Sequence, residues 1–287
     1  MTLLTLAVDG RPETDAAIRW TAERAARDGS AVNVVSVARD DRAGREAAES
    51  AVAAAAERIA HLQPSLVCAT SVAIGDVVDR LLLVSVDSDL LVVGSSRPSP
   101  LAGLLHATLP MRLAGRAHCD LVVVPNGWTR SGGGAVVAGW SPDAAGAAAL
   151  DRAAREAAAV GSALTIVHAW RPIPVSDYDV ATGAALLAAI QEDAERALSE
   201  AVALARRDHP HLEVTSDLHL GSAVGGLTRR RDAALLVVGS HPHSALGDVL
   251  LDPDGDALIR EVADVPVLVT AGSPGGPDRV PEVSHLV

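Results

Sequence analysis

The run LLVVGS at Leu90–Ser95 returns unchanged at Leu235–Ser240. A continuous apolar run closed by Gly-Ser reads as a strand covered on both faces and ending in a tight turn. Its return implies that a larger unit is repeated. Gly29-Ser30 comes back as Gly161-Ser162, VNVVSVA (Val32–Ala38) as LTIVHAW (Leu164–Trp170), and Gly75 as Gly221. The offset between copies drifts from about 130 to 145 residues. The extra residues fall near RPIPVSDYDVATG (Arg171–Gly183), a polar, Pro-bearing stretch. The drift is therefore an insertion in a surface connection.

Within each copy, short Val/Leu-rich runs alternate with helical patterns. In the first copy the strands read LLTLAVD (Leu3–Asp9), AVNVVSVA (Ala31–Ala38), SLVCATS (Ser65–Ser71), DLLVVGS (Asp89–Ser95) and CDLVVVP (Cys119–Pro125). Ile18, Thr21, Ala22 and Ala25 make a helical stripe, matched by Leu150, Ala153, Ala154 and Ala157. Strand–helix alternation implies an α/β fold with a doubly wound parallel sheet. The expected domains are 1–126 and 134–271, with a linker at 127–133 inside NGWTRSGGG and a loose tail at 272–287. Each copy is expected to form its own five-stranded parallel sheet ordered 3-2-1-4-5, not one continuous ten-stranded sheet. The fifth strands, LVVV (Leu121–Val124) and VPVLV (Val265–Val269), end their sheets, and bare apolar edges of that kind invite aggregation, so a covering partner is expected. Pro266 lacks an N–H and fits there only at a strand start or a non-bonded position.

Composition narrows the chemistry. The 287 residues carry a net charge of −12, near −2 in residues 1–130 and near −10 in residues 131–287. Phosphate polymers and anionic membranes are poor partners for such a surface. All 24 basic residues are Arg. Without Lys there is no Schiff-base chemistry and no P-loop lysine. The two cysteines, Cys68 and Cys119, suit a reducing cytoplasm better than a disulfide framework. No signal peptide is read before the first strand, and no apolar run reaches the ~18 residues needed to cross a membrane.

These motifs resemble the universal stress protein family in its tandem form. The likeness rests on AVDGRPE (Ala7–Glu13), LLVVGSSRPSPLAGLLHAT (Leu90–Thr108) and AHCDLVVVP (Ala117–Pro125) in the first copy, and on AGWSPD (Ala138–Asp143), LLVVGS and DVPVLV (Asp264–Val269) in the second. The resemblance implies an adenine-nucleotide alpha-hydrolase-like fold, supports the 3-2-1-4-5 order in each copy, and implies that the two fifth strands meet across a pseudo-twofold axis. It also implies that nucleotide-binding members carry an Asp ending the first strand and a spaced glycine loop whose backbone N–H groups cradle phosphates. Carried onto the first copy, the nucleotide set is Asp9, Val37, Gly94, Ser95, Arg97 and Thr108, with ATP or a related adenine nucleotide and magnesium as the ligand. The second and third loop glycines are replaced by Arg97 and Ala107. The Arg97 side chain either obstructs the loop or adds a guanidinium to the phosphates. In the second copy the Asp position is read as Gly139, followed by Trp140; Gly239 remains, but Pro242 and Asp252-Pro253 replace the later loop positions. Asp248, Asp252, Asp254 and Asp256 repel phosphate and cap the following helix, ALIREVA at Ala257–Ala263.

Other motifs carry less. Asp252–Asp256 has its glycine at the wrong place for a calcium loop. The two HPH triplets, at His209–His211 and His241–His243, fall at opposite ends of a parallel sheet and are not expected to share a metal. Cys68 reads as a mid-strand packed residue and Cys119 as a packed strand start. His168 reads as a packed strand-end residue bordering the pocket. Arg229–Arg231 suit the C-terminal end of a helix. Neither a metal site nor a catalytic constellation is read from the chain. The resemblance implies a cytoplasmic stress-response sensor or scaffold, holding nucleotide in the first domain only. The alternatives are an interaction scaffold without nucleotide and a slow nucleotide hydrolase. Expected partners are the two domains themselves, a second chain as a homodimer, and an unidentified protein, but neither nucleic acid nor membrane.

Overall fold

The computed structural model describes residues 2–95, 109–129, 133–172, 180–240 and 265–271. The first copy runs β1 (Leu3–Ala7), α1 (Asp15–Asp28), β2 (Ala31–Ala38), α2 (Arg42–Leu62), β3 (Cys68–Ile74), α3 (Val77–Ser85), β4 (Leu90–Ser95), α4 (Leu109–Leu113) and β5 (Asp120–Pro125). The second runs β6 (Val136–Trp140), α5 (Ala144–Val160), β7 (Leu164–Trp170), α6 (Val180–Asp208), β8 (Val214–Leu220), α7 (Ala223–Thr228), β9 (Leu235–Val238) and β10 (Val267–Val269). The acidic run Asp248–Asp256, the helix expected after it at 257–263, the second HPH triplet and residues 272–287 lie outside the described residues.

Each copy has the expected order, and every pairing inside a copy is parallel. The expectation of two separate sheets is corrected. β5 and β10 pair antiparallel, so a single ten-stranded sheet runs β3-β2-β1-β4-β5-β10-β9-β6-β7-β8. The reason is the edge chemistry that brings the two together. Two apolar strands with unpaired N–H and C=O groups gain a full ladder by joining. Pro266 stands just ahead of β10, where its missing N–H costs no bond; its carbonyl accepts from Leu236 N–H at 2.9 Å. A second correction concerns β3. It begins at Cys68, not Ser65, because Leu66 N–H closes a turn onto Gln63 and Val67 is 88% exposed. Cys68 is thus the first residue of β3 and only half-buried.

Both sheet faces are covered. Leu4, Leu6, Val122 and Leu268 point into a core beneath α1, α2, α5 and α6, whereas Leu91, Val93, Leu121, Val123, Val267 and Val269 point into the opposite layer. Each core passes through the β5–β10 seam, so the copies share their interiors. α1 and α5 bury the stripes that the sequence marked and end on Gly29 and Gly161, both with φ 65° and ψ 30°. Glycine adopts that left-handed turn without a Cβ penalty. Trp128, inside the linker run, is buried, and its carbonyl accepts from Arg19 at 3.3 Å. Among the described residues, no helix is long and apolar enough to cross a membrane.

Where α1 and α5 meet over the seam, Arg24 forks onto Glu156, with Nη2 donating to Oε1 at 2.7 Å and Nη1 to Oε2. Burial works against the Arg24 charge, but the hydrogen bond and charge of Glu156, then those of Asp28, outweigh it and raise its pKa.

Candidate functional site

At the carboxyl ends of β1, β2 and β4 a cleft of about 100 Å³ opens, lined by Asp9, Thr14, Val37, Val77, Leu81 and Gly94 among others. The location follows from topology. β1 continues the sheet through β2 on one side and β4 on the other, so the two connections diverge and leave a crevice. Among the described residues its walls are apolar, with Asp9 and Thr14 as the polar side chains.

Asp9 stands at the mouth, its side chain 57% exposed. Oδ1 accepts from the Arg11 N–H at 3.1 Å and from the Thr14 hydroxyl at 3.0 Å. Among the described residues, Oδ2 has only the Arg11 guanidinium, at 3.4 Å. The carboxylate is therefore held in place while keeping acceptor capacity toward the cleft. Of the six sequence-marked residues, Asp9, Val37 and Gly94 line one cleft, and Ser95 ends the β4 strand beside it. Arg97 and Thr108 lie outside the described residues. The sequence reading missed Thr14, Val77 and Leu81. Thr14 could have been found as a hydroxyl one short turn beyond Asp9; Val77 and Leu81 gave no signal beyond ordinary helix packing.

The strand register corrects the reading of the second copy. Leu4 pairs with Leu90, the first residue of the repeated LLVVGS run, as Val136 pairs with Leu235, the first residue of its copy, an offset of 132. The counterpart of Asp9 is therefore Ser141, not Gly139. Matching by Asp-like position failed because the second copy has no carboxylate there to mark it. A cleft of about 70 Å³ occupies the equivalent place, with Gly139, Ser141, Ala169, Ala223 and Leu227 where the first copy has Ala7, Asp9, Val37, Val77 and Leu81. Ser141 is 6% exposed, and its hydroxyl donates to Asp143 Oδ2 at 2.9 Å. Asp143 in turn caps α5, accepting from Gly146 N–H at 2.7 Å. The hydroxyl is thus committed to the helix start. His168 is buried as expected, its Nδ1 donating to the Trp140 carbonyl at 3.0 Å and its ring edge-on to Trp140.

The first HPH triplet borders a larger depression of about 570 Å³ at the amino ends of the second-copy strands. Among the described residues, no three His, Cys, Asp or Glu side chains are gathered to hold a metal.

Comparison with known proteins decides the family. The model of the universal stress protein family matches residues 4–125 and again 135–271. The chain belongs to the universal stress protein family. Universal stress proteins of Mycobacterium tuberculosis and Mycobacterium bovis are 29% identical to it over 94% of this chain and 97% of theirs. In solved structures, a universal stress protein of Archaeoglobus fulgidus superposes with a TM-score of 0.69 at 15% identity, covering 94% of this chain and 96% of that one. A Pseudomonas aeruginosa protein described as functionally unknown gives 0.64 at 15% identity, over 94% and 92%. At those identities the likeness speaks for the fold. The tandem organisation of this universal stress protein is thus a property of the whole chain, shared along nearly the full length of its relatives.

Proposed function

We propose that this tandem universal stress protein is a cytoplasmic stress-response sensor whose first copy binds an adenine nucleotide, or a small ligand of that class, while the second copy serves as its structural partner. The observation that carries this reading is the contrast between Asp9 and Ser141. One presents an exposed carboxylate to a largely apolar cleft; the other is buried and committed to capping a helix. The base or ribose sits against Val37, Val77 and Leu81 with Asp9 as acceptor, and the phosphates, with magnesium, extend beyond Gly94 and Ser95.

Isothermal titration calorimetry with ATP, with and without magnesium, tests it. The expected result is one site per chain, lost in Asp9→Ala and unchanged in Ser141→Ala. The reverse pattern overturns the assignment. No binding by the unaltered chain favours an interaction scaffold that uses no nucleotide.

A further inference from the structure

The registers fix a second equivalence. Leu90 pairs with Asp120 while Leu235 stands level with Pro266, so Val122 and Leu268 are counterparts. In the antiparallel seam these two counterparts are also direct partners, with Val123 opposite Val267 and Leu121 opposite Val269. A pseudo-twofold axis therefore passes through the Val122–Leu268 pair. Arg24 and Glu156 are counterparts too, at equal distances from the capping glycines Gly29 and Gly161. They face each other beside the same axis.

A position on a twofold axis meets itself when two identical units associate. Two first copies joined by β5 would bring Arg24 against Arg24; two second copies would bring Glu156 against Glu156. Both side chains are enclosed, 11% and 5% exposed, so neither like-charge contact is relieved by water. The arrangement is one-sided beyond this pair. Arg152 Nη2 reaches Glu156 Oε1 at 3.0 Å and Arg152 Nε reaches Asp120 Oδ2 at 3.3 Å, while Asp120 Oδ1 accepts from Ala271 N–H at 2.8 Å. The counterpart of Arg152 is Trp20, which lies under Arg24 at 5.8 Å, and the counterpart of Asp120 is Pro266. Arg152–Glu156 and Arg24–Trp20 lie within one copy, whereas Arg152–Asp120 and Asp120–Ala271 cross the seam and could not form between two like copies.

We propose that Arg24 and Glu156 are a keyed pair that makes the β5 edge of the first copy accept a second copy and reject another first copy, so that each chain closes on itself. Opposite charges at one symmetric position both reward the correct pairing and penalise both incorrect ones. The inference is independent of nucleotide binding.

The test uses full-length chains carrying Arg24→Glu, Glu156→Arg or both. Each single change should lower the thermal midpoint by roughly 10 °C, and the double change should recover most of that loss. Co-expression of the Arg24→Glu chain with a differently tagged Glu156→Arg chain should yield a mixed dimer of twice the 29.3 kDa chain mass. In that exchanged dimer, Glu at 24 meets Arg at 156 in one seam and Arg24 meets Glu156 in the other. Neither single variant alone should form it. If a single variant is insoluble by itself, the double variant and the co-expressed pair still report. Single variants as stable as the parent overturn the proposal. So does recovery in the double variant without a mixed dimer, because complementarity would then steady the seam without choosing the partner.

Discussion

Gly239, the counterpart of Gly94 in the second copy, offers a clean test of why a strand-end glycine is kept there. It follows β9 where the N-terminal turn of α5 crosses. A Cβ placed on it would lie 2.6 Å from the carbonyl oxygen of Ala145 and 2.8 Å from its carbonyl carbon and Cβ. These are main-chain or short side-chain atoms, so no rotamer can relieve the overlap. α5 itself would have to move, although its start is pinned by the Asp143 cap. Overpacking of this kind costs about 1–3 kcal/mol, and the fixed helix start places Gly239→Ala near the top of that range. In thermal and urea unfolding followed by far-UV circular dichroism, the variant should lose about 2–3 kcal/mol and its midpoint should fall by roughly 5–10 °C. Gly161→Ala is the matched control. Nothing lies within 4 Å of its would-be Cβ, but φ is +65°, so its cost is conformational, about 1–2 kcal/mol. Stability of Gly239→Ala within about 0.5 kcal/mol of the parent would refute the packing argument. Loss of nucleotide binding without loss of stability would show that this glycine serves a ligand instead.

Three further outcomes are expected. Burial pushes the Cys119 thiol up to about 12, opposed by a backbone hydrogen bond to Leu91 and reinforced by the charges of Asp120 and Asp89; at pH 8 iodoacetamide should therefore leave Cys119 unmodified until the chain is unfolded, as read by mass spectrometry, and rapid labelling of the folded protein would contradict this. At Asp28, burial favours the neutral form, but hydrogen bonding from Arg27 and the charges of Arg24 and Arg27 prevail and lower its pKa. A depressed folded-state pKa contributes stability above the unfolded value and loses it as pH falls through the folded one. Asp28→Asn should thus flatten the acid limb of the stability profile below about pH 4, modestly because the carboxylate is partly exposed; an unchanged acid limb would remove Asp28 from the account. Finally, Ser88 Oγ donates to Val84 O at 2.8 Å and meets the buried Thr5 hydroxyl at 2.7 Å. Ser88→Ala, which leaves Thr5 without that partner, should cost about 1–3 kcal/mol in urea unfolding, and Thr5→Val combined with Ser88→Ala should cost less than Ser88→Ala alone.

The sequence by itself determined the repeat, the elements and their order within each copy. Apolar runs such as LLVVGS and stripes such as Ile18, Thr21, Ala22 and Ala25 record how each residue meets its near neighbours, and that information is local. Family motifs led to the cleft for the same reason, since Asp9, Val37 and Gly94 each lie at or just beyond the carboxyl end of a strand that the pattern had already placed, although β1 stops at Ala7 and not at Asp9. Only the tertiary structure decided that the two sheets are one, that Ser141 is the counterpart of Asp9, that Trp128 of the linker run is buried, and that Arg24 faces Glu156. Each of these is a relation between residues far apart in the chain, set by strand register and by the axis through Val122 and Leu268. Pattern within a segment carries no record of which distant segment it will meet, because register and symmetry are fixed when surfaces pack against one another.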